Sequence, residues 1–437
     1  MIPRFSWVLL IAALAFATRG CAAENFLAGA DMSLLAFFES NGISYKTNGQ
    51  SSDALTILKS QGINCVRLRL FTSSAAQAQA DPYDYINNLS YTVPLAVRVK
   101  NTGLKFLLDF HYSDTWADPG HQAIPAAWTN LNFVQLVQEM HDYTSNCIAT
   151  FRLAGAPPDY VQVGNEITSG LLWPEGEVGG SYDTPTQWSQ LAQLLNAAMQ
   201  GVRDATGTNV PKIIIHIDQG GNWPTTKWFF DNLIQTQHVQ FDLIGESYYP
   251  FFQAPLTSLN ACLTNAAARY GKPLLVAETA FPWTNSYWTT NIYGIPGTTN
   301  GQVQYVAALA KTVLGVPGSL SAGIFWWGTE YQALRGVNEA GYNTASFFDA
   351  RGNVLPAASA FGQMSEPVLL QGQRNGTNLL LQWSLAGAGM ALTTATNGPA
   401  ATFWQPVTNL IQSTGAWFNV TLPLDSGRNH FYRLQPN

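Results

Sequence analysis

The sequence predicts a (β/α)8 TIM barrel followed by a small C-terminal all-β module. Three observations predict it. Between about residues 26 and 362, eight short apolar runs alternate with stretches of helical spacing. Almost every run ends in a polar or aromatic residue, where barrel proteins carry their chemistry. Beyond Pro356–Pro367 the helical period vanishes, and short alternating runs separated by Asn, Gly and Pro take over. A doubly wound sheet is the rival reading. It usually needs fewer strands and often a Gly-rich phosphate loop, and neither GxGxxG nor a P-loop motif occurs.

Taken in order, residues 1–23 read as a secretory signal peptide. Arg4 supplies the basic start, Trp7 to Ala17 the apolar stretch, and Ala22-Ala23 the small residues before Glu24. The stretch is too short to span a bilayer. Cleavage as a lipoprotein at Cys21 is the alternative, poorly served by Thr18-Arg19-Gly20. The expected location is therefore outside the cytoplasm, with no membrane partner for the processed chain. The expected barrel domain is 24–362. Its strands are Leu27–Ala30, Cys65–Phe71, Lys105–His111, Tyr160–Asn165, Lys212–Ile217, Phe241–Tyr249, Pro273–Glu278 and Gly323–Trp327. Ser52–Ser60, Phe133–Leu153 and Gln187–Ala205 show helical spacing between them. The expected tail module is 366–437, with strands Val368–Gln371, Leu379–Ser384, Met390–Thr394, Trp417–Leu422 and His430–Leu434.

Composition narrows the function classes. Of 437 residues, 46% are hydrophobic and 11% charged, which excludes disorder and coiled coil. The net charge of −6 argues against nucleic acid, and removing 1–23 leaves 19 basic and 27 acidic residues, a charge of −8. An aromatic share of 12%, with 14 Trp, suits stacking on sugar rings as well as a large core. Past the leader only Cys65, Cys147 and Cys262 remain, an odd number without a CxxC or Cys/His cluster. No metal and no cofactor are expected.

Strand ends deliver Asp31, Arg67 and Arg69, Asp109 with His111, Asn165 with Glu166, His216, Tyr248 with Tyr249, Glu278, and Trp326 with Trp327. Glu166 and Glu278 close strands four and seven, so their side chains can flank a substrate across the barrel mouth. Facing carboxylates are what glycoside hydrolysis requires, one as proton donor and one as nucleophile. The bland alternative is that each caps a helix or pairs with an Arg. Alternation is expected to split Arg67 from Arg69, with Arg69 facing the barrel interior. Arg69, Tyr248 or Tyr249 is expected to hold Glu278 ionised. Asn165 is placed to reach a sugar 2-hydroxyl. Asp31, Asp109, His111, Asp114, Trp116 and Asp118 are expected along the cleft, with Trp116, Trp173 and Trp327 as stacking platforms. Trp326 is expected in the core.

Longer motifs are Gly29-Ala-Asp-Met-Ser33, Val66-Arg-Leu-Arg-Leu70, Leu108-Asp-Phe-His-Tyr-Ser-Asp-Thr-Trp-Ala-Asp-Pro119, Val161-Gln-Val-Gly-Asn-Glu166 with Leu172-Trp-Pro-Glu-Gly176, and Ser247-Tyr-Tyr-Pro250 with Val276-Ala-Glu-Thr279. In this order they resemble glycoside hydrolase family 53, in the clan of retaining (β/α)8 glycosidases. The resemblance implies an arabinogalactan endo-β-1,4-galactanase acting on the galactan side chains of pectin. It implies Glu166 as acid/base and Glu278 as nucleophile. Two departures are visible. Strand eight reads Phe325-Trp-Trp-Gly328, where family members often carry Phe-Tyr-Trp-Glu. Bacterial members can hold calcium in the loop after the nucleophile, but Phe281 to Gln304 contains no carboxylate. A clan relative acting on mannan, xylan or cellulose, and a non-catalytic sugar-binding barrel, are the competing readings.

Overall fold

A computed structural model describes residues 26–285, 291–414, 417–424 and 429–436. The proposed leader with Cys21, and residues 286–290 of the loop expected to lack calcium, lie outside the described residues. Eight parallel strands close into a barrel: β1 (Leu27–Asp31), β2 (Cys65–Leu70), β3 (Lys105–Phe110), β4 (Tyr160–Val163), β5 (Lys212–Ile217), β6 (Leu243–Ser247), β7 (Leu274–Thr279) and β8 (Ser321–Trp326). Each pairs with its sequence neighbour, and β8 returns to β1 with Leu27 opposite Gly323. The eight apolar runs of the sequence are these strands, trimmed or extended by a few residues.

A helix follows each strand: α1 (Ala54–Ser60), α2 (Leu89–Asn101), α3 (Phe133–Leu153), α4 (Pro185–Thr206), α5 (Trp223–Phe230), α6 (Leu256–Tyr270), α7 (Thr299–Leu314) and α8 (Pro356–Gly362). Local chemistry sets their starts. Asp53, Asn132 and Thr184 each accept a backbone N–H from the first turn of α1, α3 and α4. The apolar stripe of each helix then covers the barrel wall, as with Leu136, Met140, Cys147, Ile148 and Phe151 along α3.

The barrel interior changes character from bottom to top. Low in the barrel, Leu27, Cys65, Leu107, Ile214, Leu243, Leu275 and Phe325 form a small apolar cluster of their own. Two residues further along, the period of two brings polar groups to the same interior: Arg67 after Cys65, Asp109 after Leu107, His216 after Ile214. These three side chains are fully buried. Arg67 and Arg69 are not split between faces as expected. Residues two apart on a strand share a face, so both follow Cys65 inward.

Past the barrel, antiparallel strands β9 (Leu370–Asn375), β10 (Asn378–Ser384), β11 (Met390–Ala395), β12 (Gln405–Pro406), β13 (Gln412–Thr414), β14 (Trp417–Pro423) and β15 (Phe431–Pro436) form two sheets. Trp383, Leu392, Phe418 and Val420 bury their side chains in the same continuous cluster that lines the barrel's helix layer. The turn at Gly389 lies so close to the end of α7 that a side-chain carbon there would meet the Leu314 carbonyl at 2.1 Å. Cys65, Cys147 and Cys262 are free, buried thiols. Among the described residues no helix is long and apolar enough to cross a membrane.

Candidate active site

An open cleft of about 900 Å³ occupies the barrel mouth, with Glu166 and Glu278 in its wall. Two local devices aim these carboxylates. After β4 the chain turns at Gly164 (φ 83°), and Glu166 itself takes a left-handed conformation at φ 49° and ψ 47°. A non-glycine residue held there costs about 1–3 kcal/mol, so the surroundings must enforce it. On β7, strict alternation from Leu275 and Ala277 would turn Glu278 toward the helices. A register shift against β6, between Glu246 and Ser247, sets Glu278 opposite Ser247 instead. Thr279 then takes the outward place, where its hydroxyl meets Tyr305 Oη at 2.6 Å.

The two glutamates have different partners. Glu278 Oε1 lies 2.9 Å from Arg67 Nη1, and Oε2 accepts from Tyr249 Oη at 2.8 Å. Burial pushes its carboxyl up to about 7, against the pull of Arg67 and Tyr249. Among the described residues, no cation forms an ion pair with Glu166. Its Oε1 accepts from Ser247 Oγ at 2.6 Å. Burial first, then Glu278 and Asp218, raise it well above the ordinary carboxyl value. Of the two, Glu166 is the one whose surroundings push it toward the protonated form without an ion-pair partner to oppose them. That difference suits Glu166 to donate a proton and Glu278 to act as an anion.

Arg67 organises the floor. It contacts Asp31 at 3.0 Å and Asp109 at 2.8 Å, besides Glu278, and donates to Asn165 Oδ1 at 2.8 Å. Burial pushes Asp109 up, but Arg67 and His111 outweigh it and hold the carboxyl below the ordinary range. His111 accepts from Ala117 N through Nδ1 and faces Asp109 through Nε2, so it braces the floor beneath the cleft. Burial lowers His216 well below the ordinary histidine value. Its Nε2 meets Ser247 Oγ at 2.9 Å and its Nδ1 meets the Gln162 amide at 3.0 Å. Glu166, His216 and Glu278 offer ligand atoms within 4.8 Å of one another, a metal-like spacing. Both His216 nitrogens are already bonded to protein groups, which leaves that set without a free imidazole.

The other expected residues divide. Asn165, Trp116, Asp118, Tyr249 and Trp327 line the cleft. Trp116 and Trp327 stand edge to face at 6.0 Å, with the Arg69 guanidinium 4.0 Å and 5.0 Å from their ring centres. Arg69 donates to Asn87 and Tyr331, not to Glu278. Tyr248 turns away and donates to the Ala254 carbonyl. Asp114 is occupied by Thr72, Gln77 and the Ala126 N–H, and the Trp173 indole by the Ser169 carbonyl, both apart from the cleft wall. Trp326 stacks on Phe347 beneath the helices. Sequence reasoning did not single out Ser247, Gln162, Asp218, Tyr83, Tyr331 or Tyr342. Ser247 sat in a quoted motif without a role, and Gln162 follows from the strand period. The loop tyrosines carry no periodic signal.

A model of glycosyl hydrolase family 53 matches residues 27–361. An uncharacterized protein of Niallia circulans is 39% identical over 353 residues, covering 77% of this chain and 93% of its own. The arabinogalactan endo-beta-1,4-galactanase of Humicola insolens is 37% identical over 309 residues, covering 68% of this chain and 88% of its own. A solved fungal beta-1,4-galactanase superposes with a TM-score of 0.68 at 33% identity, over 76% of this chain and 98% of that one.

Proposed function

Because the chain belongs to glycosyl hydrolase family 53, we propose that it is a secreted, retaining endo-β-1,4-galactanase that cuts the galactan side chains of pectin. One observation carries the mechanism: a carboxylate oxygen of Glu166 and one of Glu278 lie within 4.8 Å of each other. That spacing favours direct attack over a water held between the carboxylates, since retaining pairs stand about 5–5.5 Å apart and inverting pairs about 6.5–9.5 Å. Glu278 attacks the anomeric carbon as Glu166 protonates the leaving oxygen. A glycosyl–enzyme ester forms, and the shortened chain departs. Glu166, now ionised, takes a proton from water, which attacks the same carbon and frees Glu278. Arg67 and Tyr249 hold Glu278 as the anion, Asn165 is placed for the sugar 2-hydroxyl, and Trp116 and Trp327 supply apolar faces for pyranose rings. The substrate assignment draws on the Humicola relative's activity. Residues 1–23 direct export in this reading, 24–362 perform catalysis, and 366–437 form an appendage.

Two assays test it together. Reducing ends should appear from potato galactan and not from mannan, xylan or cellulose; release from one of those instead assigns another substrate, and no release from any removes the catalytic reading. On an aryl galactobioside, Glu166→Ala should stall after the first step and resume with azide, giving the β-azide. Glu278→Ala should give the α-azide. Exchanged configurations would reverse the two roles.

A further inference from the structure

Asp218 follows β5 and takes no part in the two steps above, yet it lines the cleft beside the acid. Its Oδ1 accepts from the Thr168 hydroxyl, and its backbone N–H donates back to the same oxygen at 3.3 Å. Thr168 is the middle residue of the single turn Ile167–Ser169 that begins directly after Glu166. The link from β5's end to that turn is thus made twice, once in each direction, at the place where Glu166 is held left-handed. Asp218 is itself pinned: its Oδ2 accepts from the Gln219 amide at 2.9 Å, and its carbonyl accepts from the Gln253 amide at 2.7 Å.

We propose that Asp218 is a positioning residue for the acid: it anchors the turn behind Glu166 through Thr168 and sets a second carboxylate on the same cleft wall, whose charge favours the proton on Glu166 ahead of the first step. This rests on the reading of Glu166 as the proton donor. The charged and titratable groups facing Glu166 are Glu278 from β7, Arg67 from β2, His216 from β5, Asp218, and the tyrosines Tyr249 and Tyr342. His216 is neutral, Arg67 is shared among three other carboxylates, and Glu278 must remain an anion to attack. Asp218 is the group of this set whose charge persists through both steps: it favours the protonated acid before the first, and in the second, when Glu278 is esterified, it strengthens the ionised Glu166 as the base that takes the proton from water.

The two parts of the role separate in two variants. Asp218→Asn keeps an oxygen for the Thr168 hydroxyl and removes the charge. Thr168→Val keeps the charge and removes the anchor. The measurement is the pH dependence of kcat and KM on soluble galactan for both, beside wild type and Glu166→Ala. Asp218→Asn should move the alkaline limb of kcat/KM to lower pH by roughly half to one unit, the lower end of what a neighbouring charge does. Thr168→Val should lower kcat with the limb in place and KM little changed. An Asp218→Asn limb that overlays the wild type, or two variants with the same loss and unshifted limbs, overturns the proposal. Should Asp218→Asn not fold, Asp218→Ser is read by the same limb. If Glu166→Ala keeps full turnover, it is the assignment of the acid that fails, a separate result.

Discussion

Arg67 ion-pairs with three buried carboxylates, and such pairing is what lets a buried charge be tolerated. Among the described residues, Glu330 has no comparable partner. Its Oε1 accepts from Leu34 N at 2.7 Å, and burial, helped by Asp31, pushes its carboxyl from 4.5 up to about 8. A raised folded-state value means that its contribution is fully present below the unfolded-state value near 4.5 and is lost as pH climbs through about 8. Between the two, this one group lowers stability by up to ~1.4 kcal/mol per pH unit. Glutamine at 330 accepts the same N–H and does not titrate. Thermal melts from pH 5 to 8.5 should therefore show the wild type losing Tm faster than Glu330→Gln as pH rises; parallel curves would mean that Glu330 binds no extra proton on folding. The polar strand ends were legible because a carboxylate closing an apolar run needs a reason. That Arg67 and Arg69 share the interior face follows from the period of two, but the pairing of Arg67 with Glu278 does not, since strict alternation turns Glu278 outward. Asp218 and Ser247 were not legible either, because nothing local distinguishes a side chain that braces a catalytic group from one that caps a turn.

At the scale of elements, all eight barrel strands and the long helix α3 were visible in the sequence, because buried parallel strands read as short apolar runs and α3 keeps its stripe over 21 residues. The shift between β6 and β7 was not visible, since an extra residue in one strand leaves the apolar pattern intact and changes only which side chain faces in. Packing between helices was equally hidden. Gly201 of α4 sits against α3 so tightly that a Cβ would meet the His141 carbonyl at 2.4 Å. In an open helix, Gly→Ala gains about 1 kcal/mol. Here the clash with backbone reverses the sign, and Gly201→Ala should cost about 1–3 kcal/mol in urea unfolding, as overpacking does. A stabilised variant would mean that α3 and α4 can move apart freely.

For the whole molecule, the tail is the part whose attachment the sequence described least well. The composition shifts near Pro356–Pro367, where Pro356–Gly362 is the helix α8 that completes the barrel layer, and the tail then folds back onto the end of α7. Every proposed catalytic group precedes Gly362. A chain ending there should keep its galactan turnover and melt at a lower temperature than the full chain, because apolar surface near Leu314 loses its cover. Insoluble or inactive product would make the two parts one folding unit. The closure of the barrel also sets a schedule for the chain's birth. β1 must wait for β8, and the Leu34 N–H for Glu330, which is 296 residues later. At a synthesis rate of about 5–20 residues per second, that wait is roughly 15–60 s. Throughout it the first strand has one unpaired edge, and the barrel cannot close until about three quarters of the chain has been made.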